Sequence, residues 1–125
     1  MRFRVDASNG SPIFEQIARQ VTFAVADGRL AEGAAVPSIR AAAEGAAVNP
    51  NTVARAYRGL QEGGVLETVR GSGMVVAPGA AKVCRADRRD AVRARLREAL
   101  DELRALEVPA EDVRKAVEAE LKKWR

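Results

Sequence analysis

The 125-residue sequence contains no histidine and a single cysteine, Cys84. One thiol cannot form the Cys/His clusters that hold zinc, so we expect no such metal site. The lack of histidine also excludes histidine-based acid–base catalysis and the Ser-His-Asp and Cys-His nucleophilic arrangements. No nucleophile–base pair or cofactor motif is present either, so we expect neither catalytic residues nor a cofactor.

Long apolar runs are also missing. The longest stretch without a formal charge, residues 71–81, contains Gly, Ser and Pro, whereas a membrane span needs about 18 or more apolar residues. No apolar segment follows the first arginines, so the signal-peptide pattern is missing too. One cysteine cannot form a disulfide within the chain, which fits a reducing cytosol. We therefore expect a soluble, cytoplasmic protein without a membrane partner.

Hydrophobic and charged residues are plentiful. At 47% hydrophobic and 30% charged, the chain can build the core of one domain with a short appendage. The formal net charge is +4, of which residues 81–125 carry +3 and residues 1–80 carry +1. A balance of this size permits a polyanionic partner without demanding one.

Helix-start residues punctuate the first third of the chain. Ser11-Pro12 predicts a start, with Ser11 as the N-cap and Pro12 as the first helical residue. Apolar residues at helical spacing follow, and the helix is predicted to end near Gly28. Residues 29–37 are predicted to form a loop with one short strand around Val36.

Two more helices are predicted to follow in close succession. Ser38 is expected to cap the first of them, which ends in a turn over residues 45–48. Asn49 is expected to cap the next, with Pro50 in its first turn. The glycines at 63 and 64 end that helix.

The third predicted helix has two chemically different faces. On a helical wheel one side carries Val53, Ala56, Tyr57 and Leu60, and the other carries Asn51, Arg55, Arg58 and Glu62. The second helix of a helix-turn-helix has this requirement, because its back is anchored while polar and cationic side chains face outward. Its N-terminus is predicted to offer unpaired N–H groups and the positive end of the helix dipole to a phosphate.

A hairpin is predicted after this helix. Residues 65–69 and 74–77 read as strands, and residues 70–73 form a glycine-rich tip between them. Glycine on both sides of Ser72 allows the backbone to approach a phosphate or groove, and Arg70 supplies charge. Pro78-Gly79 is a linker signal.

The last third of the chain is predicted to be two helices, one over residues 81–107 and one opened by Pro109. Their apolar stripes are Val92, Leu96, Leu100, Leu103 and Leu106 in the first, and Val113, Val117, Leu121 and Trp124 in the second. A hairpin of two such helices cannot bury both stripes by itself. We therefore expect these residues to hold a homodimer. The predicted domains are residues 1–78 and 79–125.

The order of elements is that of a winged helix-turn-helix, a mainly α fold with a small β-hairpin wing. Residues 11–77 also resemble the DNA-binding domain of the GntR family in three ordered motifs. SPIFEQIARQV is similar to its first helix, GRLAEGAAVPSIR to its G-x-L-x-x-G-x-x-L-P-S-x-R signature, and VNPNTVARAYRGLQEGGVLETVRGSGMVV to its recognition helix and wing. The short two-helix C-terminal region resembles the YtrA subfamily.

The resemblance implies a bacterial transcriptional regulator, a repressor, that binds a pseudo-palindromic double-stranded DNA operator as a homodimer. The target implied is its own operon, beside genes for an ABC transporter. The positions that match the family's DNA-binding motifs are Ser38, Arg40, Asn49, Pro50, Asn51, Thr52, Arg70, Gly71, Ser72 and Gly73. Arg55 joins the residues predicted to touch DNA because of its place on the polar side of the helical wheel.

Three departures from the family pattern affect this expectation. Ala41 stands where the family has the Glu of a capping box. The second helix has only alanines (Ala42, Ala46 and Ala47) in place of a core Leu and a terminal Gly. The arginine that follows Val in the recognition helix of many members is Ala54 here, with Arg55 next to it, so Arg55 is expected to read a different base edge.

Other interpretations stay open from the sequence. A ligand-responsive sensor would hold a small-molecule effector, of unknown identity, at the C-terminal dimer interface. A protein-interaction module would use the winged helix without DNA. Cys84 is either inert or a redox sensor activated by its basic neighbours. The basic stretch over residues 82–97 is either a solvated helix face or a contact with flanking DNA.

Overall fold

A computed structural model describes residues 1–71 and 73–124 of the chain. It contains five helices and one hairpin in these residues: α1 (Ile13–Ala26), α2 (Ile39–Ala46), α3 (Pro50–Glu62), β1 (Leu66–Val69), β2 (Gly73–Val76), α4 (Ala80–Ala105) and α5 (Ala110–Leu121). The predicted mainly helical architecture with a small hairpin is confirmed. The chain forms two compact units, Met1–Arg89 and Asp90–Arg125.

Helix α1 begins one residue later than predicted. Pro12, and not Ser11, occupies the N-cap position, and no side chain caps the helix. Ser11 is held outside the helix because its N–H donates to Asn9 Oδ1 (2.9 Å) and its carbonyl accepts from Gln16 Nε2 (2.9 Å). The end is as expected, since Asp27 is the C-cap and Gly28 follows with φ of +79°.

Helix α2 is capped as predicted, because Ser38 Oγ accepts the N–H of Ala41 at 3.1 Å. The helix ends with Ala47 in the left-handed conformation at φ 56°, which the chain adopts without a glycine. Its buried residues are Ala42 and Ala43. The expectation that Ala47 lies in a thin helix core is therefore wrong, since Ala47 has left the helix and is exposed.

Helix α3 follows its predicted pattern over its whole length. Asn49 is the N-cap, Pro50 stands in the first turn, and Gly63 is the C-cap. The four residues predicted to anchor it, Val53, Ala56, Tyr57 and Leu60, are all buried. Helices α1 and α2 both pack against α3, so the anchored face of α3 lies at the centre of the first unit.

The hairpin is antiparallel, with Leu66 opposite Val76 and Val69 opposite Gly73. Both strands begin one residue away from their predicted starts. The short strand predicted around Val36 is reduced to a single antiparallel bridge, which joins Ala35 to Val75 of β2. Hydrogen bonds from Val36 N to Met74 O (3.0 Å) and from Val76 N to Ala34 O (2.9 Å) hold it there.

The first turns of α4 belong to the first unit. Ala80 and Cys84 are fully buried in the same core as Ile17, Val53 and Val76. The predicted domain boundary at residues 78 and 79 falls before these turns, whereas the first compact unit continues to Arg89. Packing of Ala80 and Cys84 explains this extension, because both side chains complete the core of the winged helix.

The second unit contains the rest of α4 and all of α5. The side chains of its predicted apolar stripes are exposed or half-buried, and α5 has no buried residue. Trp124, three residues beyond the end of α5, is 76% exposed. None of the helices described above is long and apolar enough to cross a membrane.

Candidate nucleic-acid interface

The outer face of α3 presents polar side chains from a helix that the core holds in place. Asn51, Arg55, Arg58 and Glu62 are exposed, as predicted, while the opposite face is buried. Gly59 lies on the same exposed side. The backbone that carries these side chains is therefore fixed by the core, while their polar groups face solvent.

The two capping residues have donor groups to spare. Asn49 Oδ1 accepts the N–H of Asn51 at 2.8 Å, which leaves the amide Nδ2 of this exposed side chain available as a donor. Ser38 Oγ accepts from Ala41, which leaves its hydroxyl hydrogen to donate. Each side chain can thus cap its helix and still donate one hydrogen bond to an anion.

The predicted unpaired N–H groups at the start of α3 are not there. Pro50 has no N–H, and the N–H groups of Asn51 and Thr52 donate to the side chain and the carbonyl of Asn49 at 2.8 and 2.9 Å. The start of α2 differs, because the N–H groups of Ile39 and Arg40 have no partner among the described residues. Backbone donors for a phosphate therefore lie at α2, while α3 offers side chains.

Arg40 stands in the first turn of α2 and is free to reorient. Its only ion pair among the described residues is with Glu44, at 3.8 Å, and the two side chains are 90% and 77% exposed. An exposed pair of this kind contributes little to stability. The guanidinium can therefore leave Glu44 for a phosphate at small cost.

Tyr57 connects the helices that carry these groups. Its hydroxyl donates to the carbonyl of Pro37 at 2.8 Å, just before the Ser38 cap of α2. Its ring also packs edge-on against Phe3, with the centroids 6.4 Å apart. Burial raises the pKa of Tyr57 to about 12. The predicted core position of Tyr57 is confirmed, and its hydroxyl fixes the start of α2 relative to α3.

Arg55 has a contact that sequence reasoning missed. Its guanidinium carbon lies 3.8 Å from the ring centroid of Phe14, the second residue of α1. The sequence places Phe14 on an apolar stripe and Arg55 on a polar one, and neither periodicity indicates that the edges of these stripes meet. The packing of α1 against α3 creates this contact.

The hairpin tip presents Arg70 with an exposed side chain. Gly71 and Gly73 have φ of +84° and +72°, which favours glycine at both positions. Ser72, predicted to touch DNA at the tip, lies outside the described residues. The turn therefore places one arginine at the end of the hairpin with only backbone at the two glycines beside it.

The basic stretch of α4 has an internal role at one position. Arg88 forms an ion pair with Asp27, which also accepts a hydrogen bond from Arg29 Nε at 3.1 Å. Desolvation raises the pKa of Asp27, but its bonds to Arg29 and Arg88 outweigh this and lower the pKa overall. Arg88 thus ties the start of α4 to the end of α1. The other basic residues of the stretch are all exposed: Lys82, Arg85, Arg89, Arg93, Arg95 and Arg97.

Cys84 does not have the surroundings of a reactive thiol. The side chain is fully buried, and desolvation together with the charge of Asp87 raises its pKa. A redox-sensing thiol needs a lowered pKa and access to solvent. The structure therefore favours the inert interpretation of Cys84.

A groove of about 510 Å³ lies along the N-terminal segment and α1. Gln20 holds this segment by accepting from Arg4 N (3.0 Å) and donating to Arg4 O (2.7 Å). Four arginines line the groove: Arg2, Arg4, Arg19 and Arg29. They add positive charge to the first unit, and none of them is among the residues predicted to touch DNA.

Comparison with known proteins agrees with this geometry. Residues 13–76 match the family model described as "Bacterial regulatory proteins, gntR family". The HTH-type transcriptional repressor YtrA of Bacillus subtilis (strain 168) is 36% identical over 77 residues, which are 62% of this chain and 59% of that protein. The chain thus spans about three fifths of the length of this curated relative.

Two solved structures extend the similarity into the C-terminal helices. A transcriptional antiterminator from Listeria monocytogenes EGD-e has a TM-score of 0.71 and 33% identity, and the match covers 95% of this chain and 89% of that one. YtrA from Sulfolobus acidocaldarius, a GntR-family transcription factor, has a TM-score of 0.60 and 31% identity, with 81% and 99% covered. The predicted winged-helix fold and the resemblance to YtrA are confirmed.

Proposed function

The chain belongs to the GntR family of bacterial regulatory proteins, and from this premise we propose that it is a sequence-specific DNA-binding transcriptional regulator. Family and relatives are regulators and not enzymes. The observation that carries the proposal is the two-faced α3, with Tyr57 and Leu60 buried and Asn51 and Arg55 exposed. Such a helix fits the major groove of B-DNA.

Each part of the surface has a different role in this proposal. Asn51, Thr52 and Arg55, near the start of α3, read base edges. Ser38, Arg40 and Asn49 contact phosphates, and Pro50 shapes the helix start. The free N–H groups at the start of α2 support this division, because phosphate contacts position the protein while base contacts specify the sequence.

The hairpin, the wing of the fold, forms the third contact with DNA in this proposal. Arg70, Gly71, Ser72 and Gly73 touch the backbone or the adjacent minor groove. The charge of Arg70 supports this role, and so does the lack of side chains at the two glycines. Contacts of this kind are largely independent of sequence.

We further propose that two copies assemble through the C-terminal helices. The supporting observation is a row of large apolar side chains that the single chain leaves exposed. Among them are Val92 (57% exposed), Leu96 (51%) and Leu106 (69%). The complete set consists of Val92, Leu96, Leu100, Leu103, Leu106, Val113, Val117, Leu121 and Trp124. A two-fold dimer places its two α3 helices on half-sites about one helical turn of DNA apart, hence a pseudo-palindromic operator.

The regulatory role proposed is repression in the cytoplasm. The relative from Bacillus subtilis is named a transcriptional repressor. We propose that the target is the protein's own operon, beside genes for an ABC transporter, and the family resemblance supports this proposal. Binding to the promoter region of its own gene, with transcription rising when the gene is deleted, tests this step.

A binding experiment with matched variants tests the function itself. Random double-stranded DNA is selected on the full chain, and fluorescence anisotropy then compares the enriched site with a scrambled one over a range of salt concentrations. Asn51→Ala and Arg55→Ala should lose about 1–3 kcal/mol on the enriched site only. Arg70→Ala should weaken both DNAs and reduce the salt slope by about 0.9 for each phosphate that it no longer neutralises.

The control is Arg114→Ala, which removes the same charge from the exposed side of α5. It should leave both affinities near wild type. Equal losses on both DNAs for Asn51→Ala, Arg55→Ala and Arg70→Ala would contradict the proposed roles. Failure of the full chain to enrich any sequence would contradict the proposed function.

A further inference from the structure

Arg55 is held against an aromatic ring on a different helix. Its guanidinium carbon lies 3.8 Å from the ring centroid of Phe14, which is within the distance of about 6 Å that defines a cation–π contact. Phe14 is half-buried and packs against the core of the first unit. The core therefore holds the ring of Phe14 in place, and the ring in turn restrains the exposed side chain of Arg55.

Stacking uses only one part of the guanidinium group. The ring attracts the flat face of the cation, while the N–H donors of arginine lie in the plane of the group and point outward. Bidentate recognition of guanine requires those in-plane donors to meet O6 and N7 at the base edge. Arg55 can therefore stack on Phe14 and bind a base at the same time.

Arg55 has no stronger partner to leave. Among residues 1–71 and 73–124 it forms no ion pair with a carboxylate. Arg40, by contrast, pairs with Glu44 on its own helix. A base contact by Arg55 would therefore displace no ion pair, and the stacked side chain loses less rotamer freedom when DNA arrives.

We propose that Phe14 is a positioning residue that determines specificity: it holds Arg55 flat so that the guanidinium reads a guanine of the operator. The inference rests on the proposed function, since it assigns a substrate chemistry, a G·C base pair in the major groove, to one residue of the same surface. In this proposal Phe14 acts through Arg55 and not by its own contact with DNA.

The test is a double-mutant cycle read out as base discrimination. Phe14→Leu removes the ring but keeps apolar bulk in the half-buried site, and Phe14→Tyr keeps the ring. Each is combined with Arg55→Ala, and affinity is measured on the enriched site and on copies in which each G·C pair is changed to A·T. Arg55→Ala should lose discrimination at one G·C pair, by roughly 5- to 150-fold.

Phe14→Leu should lose discrimination at the same base pair, by roughly 2- to 5-fold, which corresponds to an exposed cation–π contact. The double variant should lose no more than Arg55→Ala alone, and Phe14→Tyr should behave as wild type. Arg55→Lys should resemble Arg55→Ala in discrimination, because it keeps the charge but not the planar fork.

Three outcomes would overturn the inference. They are unchanged discrimination in Phe14→Leu, an equal loss on every DNA, and tighter binding, which would mean that the ring holds Arg55 away from DNA. A thermal melt of each variant separates lost folding from lost positioning, because affinity is compared below the melting transition. If wild type itself enriches no sequence, the proposed function fails; if wild type discriminates and Phe14→Leu equally so, only the positioning role fails.

Discussion

In the first unit Ile17, Val21 and Val53 are completely closed off from solvent, whereas in the second unit Val92, Leu96 and Leu106 each expose half or more of their surface. Both sets recur at helical spacing in the sequence. The difference lies in what each stripe meets, because α1, α2, α3 and the hairpin cover one another while α5 has no buried residue. A helical stripe thus predicts that a face will be covered, but not by which chain.

The two units also differ in how burial of apolar surface stabilises them. Apolar surface stabilises a fold by about 25 cal/mol for each square ångström removed from water. The first unit obtains this from its own chain, so it should fold alone. The second unit obtains it only when another surface covers the stripes, and the proposed dimer supplies that surface.

The largest effect is expected from a cut between the units. A chain that ends at Arg89 keeps Ala80 and Cys84 in the core, so it should stay folded and become a monomer. Operator affinity should fall by about 100-fold or more, because two linked half-site contacts gain factors of this size over one. Light scattering and anisotropy measure the two results.

Two further variants serve as controls for the truncation at Arg89. A chain that ends at Gly79 loses the buried Ala80 and Cys84, so it should melt below the chain that ends at Arg89. Full-length Leu96→Glu places a charge in the exposed apolar stripe of α4. It should give a monomer that melts like the chain that ends at Arg89. A wild-type protein that is monomeric at micromolar concentration would remove the basis of the comparison.

The sequence predicted the first unit in more detail than the second. Ser38 and Asn49 were located as caps because their side chains act on the nearest backbone groups, which is local chemistry. The start of α1 was misplaced by one residue because the side chains of Asn9 and Gln16 bind the N–H and the carbonyl of Ser11. These partners are only two and five residues away, but the N-cap pattern of Ser11-Pro12 does not indicate them.

Within the candidate site, too, features set by local sequence were predicted and contacts between separate elements were not. Exposure of Arg55 followed from the periodicity of α3, but its contact with Phe14 depends on how two helices pack. The hydrogen bond from Tyr57 to Pro37 spans twenty residues and was also not visible. The prediction of free N–H groups at the start of α3 failed for a local reason. Asn49 accepts two of them, one with its side chain from Asn51 and one with its carbonyl from Thr52.

An intermediate effect is expected at Tyr57, within the first unit. Tyr57→Phe removes the bond to Pro37 O but keeps the buried ring, so the free energy of unfolding should fall by about 1 kcal/mol. Because Tyr57 fixes α2 relative to α3, operator affinity should fall as well. Urea unfolding and anisotropy measure the two effects, and an unchanged midpoint would show that the bond contributes nothing.

The same residue predicts how stability depends on pH. The pKa of Tyr57 is about 12 in the folded protein, against about 10 for an unperturbed tyrosine. Between these values the unfolded chain gives up the proton and the folded one keeps it, so stability should fall as pH rises from about 10 to about 12. Tyr57 is the only tyrosine, so tyrosinate absorbance reports it directly, and Tyr57→Phe should lack this part of the decline.

The smallest effect is expected at Gly59, where the stability of the first unit and its binding surface meet. A methyl group added there contacts nothing within 4 Å, and glycine inside a helix costs about 0.5–1 kcal/mol relative to alanine. Gly59→Ala should therefore raise the melting temperature by a few degrees, about 4–8 °C for each kcal/mol in a domain of this size.

Operator binding by Gly59→Ala should also tighten, because a stiffer α3 holds Asn51 and Arg55 in one geometry. Paired melts and titrations of wild type and variant measure both effects, and Gly45→Ala in α2 is a matched control with equally open surroundings. If Gly59→Ala melts higher but binds more weakly, the added methyl group meets the DNA, and Gly59 is then needed for the close approach of α3 to the groove. If it melts no higher, the glycine is not a source of flexibility in α3, and a gain in rigidity cannot account for any change in affinity.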